Sequence, residues 1–256
     1  MLYICIPAYN EAPTVGVLLW RIQKVFQEFA REYELLVYDD GSSDATQEIL
    51  TAYSEVLPLT VLGGPTHKGY SAALEELLRT AVGRCRYVRR DAVILMQGDF
   101  TDQPEQIPEL VRRFEGGADI VVAERDPKTV PPTAVRRLRR FAPWLIRPFV
   151  SVPGVQDPFG LFRIVRVSVL KEAIRAAGTG PVVHGEGWGA NVDLLLASLP
   201  HARRVEVLQV PPRYDLRPRE SRVRPFADAL RLYRFGRWAR AGRARSRTAV
   251  QETVGA

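Results

Sequence analysis

Short apolar segments alternate with longer amphipathic segments over the first half of the chain. The apolar segments predict five β-strands, at residues 3–6, 34–38, 59–62, 91–96 and 119–122. Between them, apolar residues recur every three or four positions and predict helices at residues 12–30, 44–55, 70–82 and 104–114, the second capped by Ser43 or Asp44. Because nearly continuous apolar strands alternate with helices, we expect an α/β fold, a mostly parallel sheet with helices on both faces.

The second half of the chain departs from this alternation. Residues 126–150 contain five prolines and predict a loop and a short basic helix. Strands at residues 162–165 and 205–210, expected to be antiparallel, flank helices at 167–177 and 188–199. A last helix is predicted from Pro225 to Arg240, followed by a polar tail that frays. We therefore expect a main domain at residues 1–222 and a basic amphipathic helix and tail at 223–256.

Composition narrows the class of protein. The 256 residues are 46% hydrophobic and 25% charged, which are the proportions of a globular protein and exclude general disorder. No run approaches the ~20 consecutive apolar residues of a membrane-spanning helix. Two cysteines, Cys5 and Cys85, are too few for a disulfide framework. We therefore expect a cytoplasmic protein.

The net charge of +7 is unevenly distributed along the chain. Residues 201–256 hold 14 arginines and five acidic residues, and a second basic block, RRLRR, occupies residues 136–140. Such blocks indicate an anionic partner, although a solvated helix face has the same composition. Phe226, Leu230 and Tyr233 form an apolar stripe beside arginines. This stripe predicts either a helix in a membrane interface or ordinary core packing.

Polar, turn-forming residues follow three of the predicted strands, at residues 7–11, 39–44 and 97–99. Ligands of open parallel sheets bind beyond the carboxyl ends of the strands, so we expect these residues to gather at one edge. Carboxylates there can accept hydrogen bonds from a base or ribose, or hold a divalent cation against a diphosphate. The chain has neither a G-x-G-x-x-G after the first strand nor a P-loop motif, which argues against dinucleotide and P-loop sites.

Four segments together resemble family 2 glycosyltransferases. They are IPAYNE at residues 6–11, VYDDGSSD at 37–44, MQGD at 96–99 and DPFGLFR at 157–163. The last segment is similar to the dolichyl-phosphate mannose synthase branch, which makes polyprenyl-phosphate sugars. The resemblance implies a GT-A-type (Rossmann-like) fold, a GDP- or UDP-hexose donor, Mg²⁺ or Mn²⁺, and inversion at the anomeric carbon. It also implies a polyprenyl phosphate acceptor, peripheral contact with the cytoplasmic membrane face, and no nucleic-acid partner.

The resemblance also assigns residues to the donor and metal sites. The residues expected to bind the donor are Pro7, Tyr9, Glu11, Asp39, Asp40, Lys68, Gly69 and Asp99. Asp99 matches the second acid of the family's D-x-D metal motif, whereas Gln97 replaces the first acid. An amide still offers an oxygen ligand, but it removes one negative charge from the metal site. Asp102 lies nearby at a different offset.

The nature of the acceptor decides which side chains take part in the chemistry. A phosphate monoester is already ionised and needs cations, which the forked arginine guanidinium supplies. The predicted acceptor-phosphate residues are Arg125, Arg136, Arg137, Arg140, Ser221 and Arg222. A hydroxyl acceptor needs a general base instead, for which Asp157 is the candidate. The predicted catalytic residues are Asp99, Asp157, Arg137 and Arg140.

Three other functions are compatible with the sequence. A transferase with a soluble hydroxyl acceptor would turn over without lipid. A catalytically weak sugar-nucleotide binder would agree with the neutral Gln97. A nucleic-acid-binding protein would explain the basic tail, but the chain has no recognition motif of that class.

Overall fold

The computed structural model describes residues 1–126, 133–146, 148–149, 152, 154–211 and 224–254. Its β-strands are β1 (Leu2–Ala8), β2 (Tyr33–Asp40), β3 (Leu59–Gly64), β4 (Ala92–Leu95), β5 (Ile120–Arg125), β6 (Arg163–Arg166) and β7 (Val205–Val210). Its helices are α1 (Val15–Glu28), α2 (Thr46–Ser54), α3 (Tyr70–Arg84), α4 (Ile107–Glu115), α5 (Thr133–Ile146), α6 (Val167–Ala177), α7 (Trp188–Ser198) and α8 (Pro225–Val254). Short 3₁₀ turns precede α4 (Pro104–Gln106) and follow α7 (Leu199–His201).

The described strands form one sheet in the order β3-β2-β1-β4-β6-β5-β7. β6 runs antiparallel to both of its neighbours, whereas the other pairs are parallel. Helices α1, α2 and α4 pack on one face of the sheet, and α3, α6 and α7 pack on the other. The predicted α/β fold with a mostly parallel sheet and helices on both faces is confirmed.

The strand at residues 205–210 was predicted to be antiparallel, and this prediction was wrong. β7 runs parallel to β5, with Ile120 opposite Val205 and Arg125 opposite Val210. Asp119, just before β5, accepts a hydrogen bond on Oδ2 from the Arg203 amide at 2.8 Å. This contact places the start of β7 beside the start of β5, so the two strands run in the same direction.

The first strand was predicted at residues 3–6, where the apolar run stops before Pro7, and this end was also wrong, since β1 continues through Pro7 to Ala8. The carbonyls of Met1 and Cys5 accept hydrogen bonds from the amides of Ala92 in β4 and of Met96 just after it, so alternate residues of β1 face that strand. The nitrogen of Pro7, which carries no hydrogen, therefore faces the side of β4. The pairing of β4 with β1 has already ended at Cys5, so no donor is needed there. A proline is tolerated where no ladder hydrogen bond is required.

The start of α2 also differs in detail from the prediction. Ala45 occupies the N-cap position of the helix. Asp44, one residue earlier, accepts hydrogen bonds from the Thr46 amide at 3.0 Å and from the Ala12 amide at 3.1 Å. Asp44 thereby ties the segment after β1 to the start of α2.

Helices α5 and α8 pack together beside the sheet. They share a small apolar core with α7 that includes Leu138, Val192, Leu232 and Phe235. α8 extends to Val254, so its predicted end at Arg240 was wrong; residues 241–254 contain no proline and several good helix formers. The proposed domain boundary at residue 222 lies outside the described residues. Among the described helices, none combines the length and apolar character needed to cross a bilayer.

A glycine at the end of β3 allows that strand to approach β2 closely. Gly63 has φ +99°, and a Cβ there would lie 2.1 Å from the Asp39 carbonyl oxygen. We expect Gly63→Ala to destabilise the fold by roughly 3 kcal/mol, because both the left-handed backbone and the contact oppose a side chain. Urea unfolding measures this change. The neighbouring Gly64→Ala is the matched control, since no atom lies within 4 Å of a Cβ there; equal losses for both variants would contradict the explanation.

Candidate active site

A cleft of about 1230 Å³ opens at the carboxyl ends of β1, β2 and β4. The order of the strands reverses between β1 and β4, and open α/β sheets bind their ligands at such a switch point. The predicted site residues that line the cleft are Pro7, Tyr9, Glu11, Asp40, Lys68, Gly69, Gln97, Asp99 and Arg125. The structure thus brings together most of the residues predicted for the donor and the metal.

Asp39 lies behind the wall of the cleft and holds the turn that follows β2. Its buried carboxylate accepts hydrogen bonds from the Ser42 amide at 3.1 Å and from the Ser42 hydroxyl. The Ser42 hydroxyl oxygen in turn accepts a hydrogen bond from the Asn10 backbone amide at 2.8 Å. The side-chain oxygen Oδ1 of Asn10 accepts one from the Ser43 amide at 2.7 Å. Asn10 has φ +51°, a conformation that asparagine tolerates better than most residues. The loops after β1 and β2 are therefore fixed against each other.

Asp40 holds the N-terminus of α3 at the edge of the cleft. Its carboxylate accepts the Lys68 amide at 2.6 Å and the Gly69 amide at 2.9 Å. A negative charge at this position is favoured by the helix dipole and by the unpaired amides of the first turn. His67 Nδ1 lies 3.0 Å from Asp40 Oδ2, and the His67 ring lies 4.5 Å from the Tyr9 ring. His67 was not among the predicted site residues, although its position next to Lys68 was an available signal.

Glu11 connects the end of β1 with α2 and with the end of β4. Its buried carboxylate accepts a hydrogen bond from the Thr14 hydroxyl at 3.0 Å, and its amide donates to Thr46 Oγ1 at 2.8 Å. A Cβ on Gly98 would lie 3.5 Å from Glu11 Cγ, so the loop after β4 packs directly on Glu11. Glu11 is therefore held in the cleft wall from three sides.

The loop after β4 carries the predicted metal residues in a tight turn. Asp102 Oδ2 accepts the Gln97 amide at 2.8 Å, and Asp99 Oδ1 accepts the Thr101 amide at 3.0 Å. Phe100, between them, has φ +62°, an unusual conformation for a bulky residue. Asp102 does not line the cleft, whereas Gln97 and Asp99 do. Asp102 therefore supports the turn from behind.

The chemistry of the cleft wall fits a divalent cation that arrives with phosphate. Gln97 contributes an amide oxygen, Asp99 a carboxylate, and the buried hydroxyl of Thr101 makes no hydrogen bond within the described part of the chain. That part contains no group of three or more His, Cys, Asp or Glu side chains suited to a metal. Mg²⁺ is commonly held by one or two carboxylates together with substrate phosphates and water. The donor set therefore suits a cation shared with a diphosphate.

A fully buried arginine shapes the loop between α5 and β6. The Arg163 guanidinium donates to the carbonyls of Leu161 at 3.2 Å and Asn191 at 3.0 Å, and also to that of Gly160. Burial lowers the pKa of Arg163 to about 10, an effect that the nearby hydroxyl of Tyr70 and two carboxylates partly offset. Tyr70 Oη donates to Asn191 Oδ1 at 2.8 Å. A buried charge thus replaces ordinary secondary structure as the support of this loop.

The same loop is held from its other side by a carboxylate. Glu124 is buried in β5, and its Oε1 accepts the amides of Gln156 and of Asp157, the latter at 3.0 Å. Glu124 Oε2 accepts a hydrogen bond from the Gln209 side chain at 3.0 Å. Asp157 is half-buried and does not line the cleft. Glu124 was not among the predicted site residues, because an acidic residue at the end of a strand looks like the start of a loop.

Of the residues predicted to bind the acceptor phosphate, only some are described by the structure, and these differ in whether they line the cleft. Arg125, at the end of β5, lines the cleft. Arg136, Arg137 and Arg140 are exposed on α5 and do not line it, and Ser221 and Arg222 lie outside the described residues. The acceptor role of these five residues stays a prediction.

The first turns of α8 add two charged residues to the cleft that were not among the predicted site residues. Arg231 and Asp228 both line the cleft, and their side chains form an ion pair at 3.1 Å. Arg231 also lies 3.2 Å from Glu186, in the segment before α7. Both residues are some 130 positions from β4 in the chain, so local sequence patterns gave no sign of this contact.

The sequence profile described as Glycosyl transferase family 2 matches residues 3–174. A bactoprenol glucosyl transferase of Shigella phage SfV is 31% identical over 172 residues, which are 66% of this chain and 52% of that protein. An undecaprenyl-phosphate 4-deoxy-4-formamido-L-arabinose transferase of Photorhabdus laumondii is 31% identical over 122 residues, 48% of this chain and 36% of that protein. The chain thus spans about half the length, or less, of these curated relatives.

Solved structures share the fold at low sequence identity. Glucosyl-3-phosphoglycerate synthase from Mycobacterium tuberculosis, solved with Mn²⁺, uridine diphosphate and glucosyl-3-phosphoglycerate, aligns with a TM-score of 0.61 at 18% identity, covering 91% of this chain and 76% of that one. S. aureus TarS residues 1–349, in complex with UDP-GlcNAc, aligns with a TM-score of 0.55 at 18% identity, covering 82% of this chain and 56% of that one. The GT-A-type fold is confirmed.

The buried guanidinium of Arg163 gives a direct test of how the loop before β6 is supported. We expect Arg163→Met to lower the free energy of unfolding by about 3 kcal/mol or more, because it leaves several buried carbonyls without a donor. Thermal or urea unfolding measures the loss. Arg175→Met is the control, since the Arg175 side chain is 81% exposed on α6. A loss as small as that of the control would show that water replaces the guanidinium without cost.

Proposed function

The chain belongs to glycosyl transferase family 2, and on that basis we propose that it moves a hexose from a nucleoside diphosphate sugar to a polyprenyl phosphate. The observation that carries the proposal is a single cleft that joins the strand-end carboxylates Asp40 and Asp99 to the cation Arg125. The names of the bactoprenol and undecaprenyl-phosphate transferases support the class of acceptor. The chemistry is one displacement at the anomeric carbon, which inverts its configuration.

The donor is proposed to lie along the ends of β1 and β2. Tyr9 and His67 present neighbouring rings on the cleft wall, which suits a planar nucleobase. Asp40 already fixes the amides of Lys68 and Gly69, so the Lys68 side chain extends from an anchored backbone. UDP bound to two structural neighbours supports a uridine nucleotide, and a GDP-hexose is the alternative donor.

The donor diphosphate is proposed to reach Asp99 and Gln97. A Mg²⁺ or Mn²⁺ ion bound there would neutralise the charge that develops on the leaving diphosphate. Asp99 is anchored for this role by the Thr101 amide, and Gln97 by Asp102. The Mn²⁺ in the structure of the M. tuberculosis synthase supports a divalent cation for a protein of this fold.

The acceptor phosphate is proposed to bind at Arg125. An oxygen of the phosphate monoester attacks the anomeric carbon, and the bond from that carbon to the donor diphosphate breaks, its electron pair leaving with the nucleoside diphosphate. No proton has to be removed from an ionised phosphate, so the step needs orientation and positive charge instead of a base. Asp157 lies outside the cleft lining, so a hydroxyl acceptor has less support.

A screen of donors and acceptors tests the proposal as a whole. The full chain is incubated with UDP- or GDP-hexoses and Mg²⁺ or Mn²⁺, with and without a polyprenyl phosphate. We expect release of nucleoside diphosphate, and formation of a lipid-linked hexose, only when the lipid phosphate is present. Equal turnover without the lipid would contradict the acceptor, and the absence of any nucleotide binding would contradict the donor.

Substitution at the metal residues should separate their contributions. We expect Asp99→Asn to weaken Mn²⁺-dependent nucleotide binding about tenfold to a hundredfold, because it removes a charged ligand while keeping an oxygen for the Thr101 amide. Calorimetry with and without Mn²⁺ measures the effect. Gln97→Asp should tighten the same binding if the amide is a ligand. Unchanged affinity in folded Asp99→Asn protein would rule out the assignment of Asp99.

The acceptor role of Arg125 predicts a selective defect. We expect Arg125→Ala to raise the acceptor KM about tenfold to a hundredfold while the donor Kd stays unchanged, since a charge-assisted contact is worth about 1.5–3 kcal/mol. Arg125→Lys should restore only part of this loss, because an ammonium lacks the forked donors. Initial rates against a short-chain polyprenyl phosphate measure KM, with exposed Arg175→Ala as the control. An equal loss of donor affinity would place Arg125 on the donor instead.

A further inference from the structure

Helix α5 carries aromatic residues on the side that faces away from the protein. Its apolar residues on the inner side pack against α7 and α8. On the outer side, Trp144 is 81% exposed and Phe141 is 58% exposed. Arg137 precedes Phe141 by four residues and Trp144 by seven, and Arg140 precedes Trp144 by four. Both arginines therefore lie on the same side of the helix, where both are exposed.

Helix α8 repeats this arrangement beside α5. Its inner side contributes Leu232 and Phe235 to the shared core. Phe226, 92% exposed, and Leu230, 50% exposed, lie on the opposite side. Arg234 and Arg237 continue the same side at spacings of three and four residues and are exposed as well. We call the outward sides of α5 and α8 together the outer face.

The charge of the outer face has one sign. α5 contains no acidic residue, and Asp228 is the only one within residues 225–240. Asp228 lines the cleft and pairs with Arg231, away from the outer face. Exposed aromatics among arginines, with no carboxylate between them, suit a surface that is both apolar and anionic.

The two helices that carry the outer face also border the cleft. Val135 of α5 and both Asp228 and Arg231 of α8 line the cleft wall from the inner sides of these helices. A surface that covers the outer sides therefore lies one helix diameter, ~10 Å, from the cleft. This placement matters if the acceptor is itself a lipid.

We propose that the outer face is a docking surface for an anionic phospholipid bilayer. Tryptophan and phenylalanine side chains enter the headgroup region of a bilayer, and arginines beside them bind lipid phosphates. The bilayer then holds a polyprenyl phosphate within reach of the cleft, across the two helices, a step that rests on the proposed function. The docking itself does not depend on which reaction the cleft performs.

Vesicle binding by the full chain tests the docking surface. Flotation is measured with vesicles of neutral phosphatidylcholine and with vesicles that contain phosphatidylglycerol as well. We expect binding to the anionic vesicles, weakened at high salt because exposed charges are screened. The pair Trp144→Ala and Phe226→Ala should weaken this binding by roughly tenfold or more. The pair Arg234→Gln and Arg237→Gln should weaken it about fivefold per arginine removed.

Matched variants elsewhere on the surface serve as controls. Trp20, 48% exposed on α1, is the control for the aromatic pair, and Arg112 and Arg175, exposed on α4 and α6, are the controls for the arginine pair. Vesicle binding by Trp20→Ala or by the double variant Arg112→Gln, Arg175→Gln should equal that of the unmodified chain. Control losses as large as those of the outer-face variants, or no binding by the unmodified chain, would overturn the proposal.

A protein partner formed by a second copy of the chain is the competing occupant of the outer face. Sedimentation velocity in the absence of lipid distinguishes it. We expect the same monomeric sedimentation coefficient for the unmodified chain and for the Trp144→Ala, Phe226→Ala variant. A dimer that this variant dissociates would overturn the bilayer assignment.

Activity with two forms of the acceptor separates this proposal from the proposed function. We expect the Trp144→Ala, Phe226→Ala variant to lose turnover with polyprenyl phosphate embedded in anionic vesicles and to keep it with a short-chain acceptor free in solution. Vesicle binding without turnover of either acceptor would contradict the proposed function alone. Full turnover of the embedded acceptor by the variant would contradict the docking surface alone.

Discussion

The loops that form the cleft depend on buried carboxylates that accept hydrogen bonds from backbone amides. Asp40 binds the amides before α3, Asp102 binds the Gln97 amide, and Glu124 binds the amides at the start of the 156–161 loop. A hydrogen bond to a charged group is worth about 1.5–3 kcal/mol, and an orphaned buried amide costs a similar amount. The ends of the parallel strands lack a regular ladder, and these ionic contacts take its place. The cleft is consequently built before any ligand enters it.

Arg163 completes this arrangement with the opposite charge. The carboxylates accept hydrogen bonds from backbone amides, whereas the Arg163 guanidinium donates hydrogen bonds to carbonyls of the loop before β6 and to the carbonyl of Asn191 in α7. Backbone N–H groups and backbone carbonyls at this edge of the sheet thus both find hydrogen-bond partners inside the protein. A loop held in this way loses little further conformational entropy when a ligand binds. Loops that are already ordered at a topological switch point therefore lower the entropic cost of binding a large, charged substrate.

The sequence predicted features that local patterns determine and missed those that distant contacts determine. Alternating apolar and amphipathic segments sufficed for the sheet and for the edge at which polar residues gather. The direction of β7 depends on its pairing with β5, in which Ile120 lies opposite Val205, far away in the chain. All three strand-end acids accept hydrogen bonds from loop amides, but Asp40 and Asp99 also line the cleft whereas Asp39 does not. Because one side chain chemistry serves both purposes, the motif alone cannot separate them.

The replacement of an acid by Gln97 has to be judged against the charge of the whole cleft. Under the proposed reaction, a diphosphate and a phosphate monoester meet in one space, and each repels the other. A second carboxylate beside Asp99 would strengthen cation binding. It would also add to that repulsion whenever the positive charge of the cation is smaller than the total negative charge in the cleft. Under that reaction, Lys68 and Arg125 would carry a larger share of the neutralisation, since the charge of Arg231 is already met by Asp228 and Glu186. The neutral Gln97 would then shift part of the neutralisation from a diffusible cation to side chains that the fold holds in place.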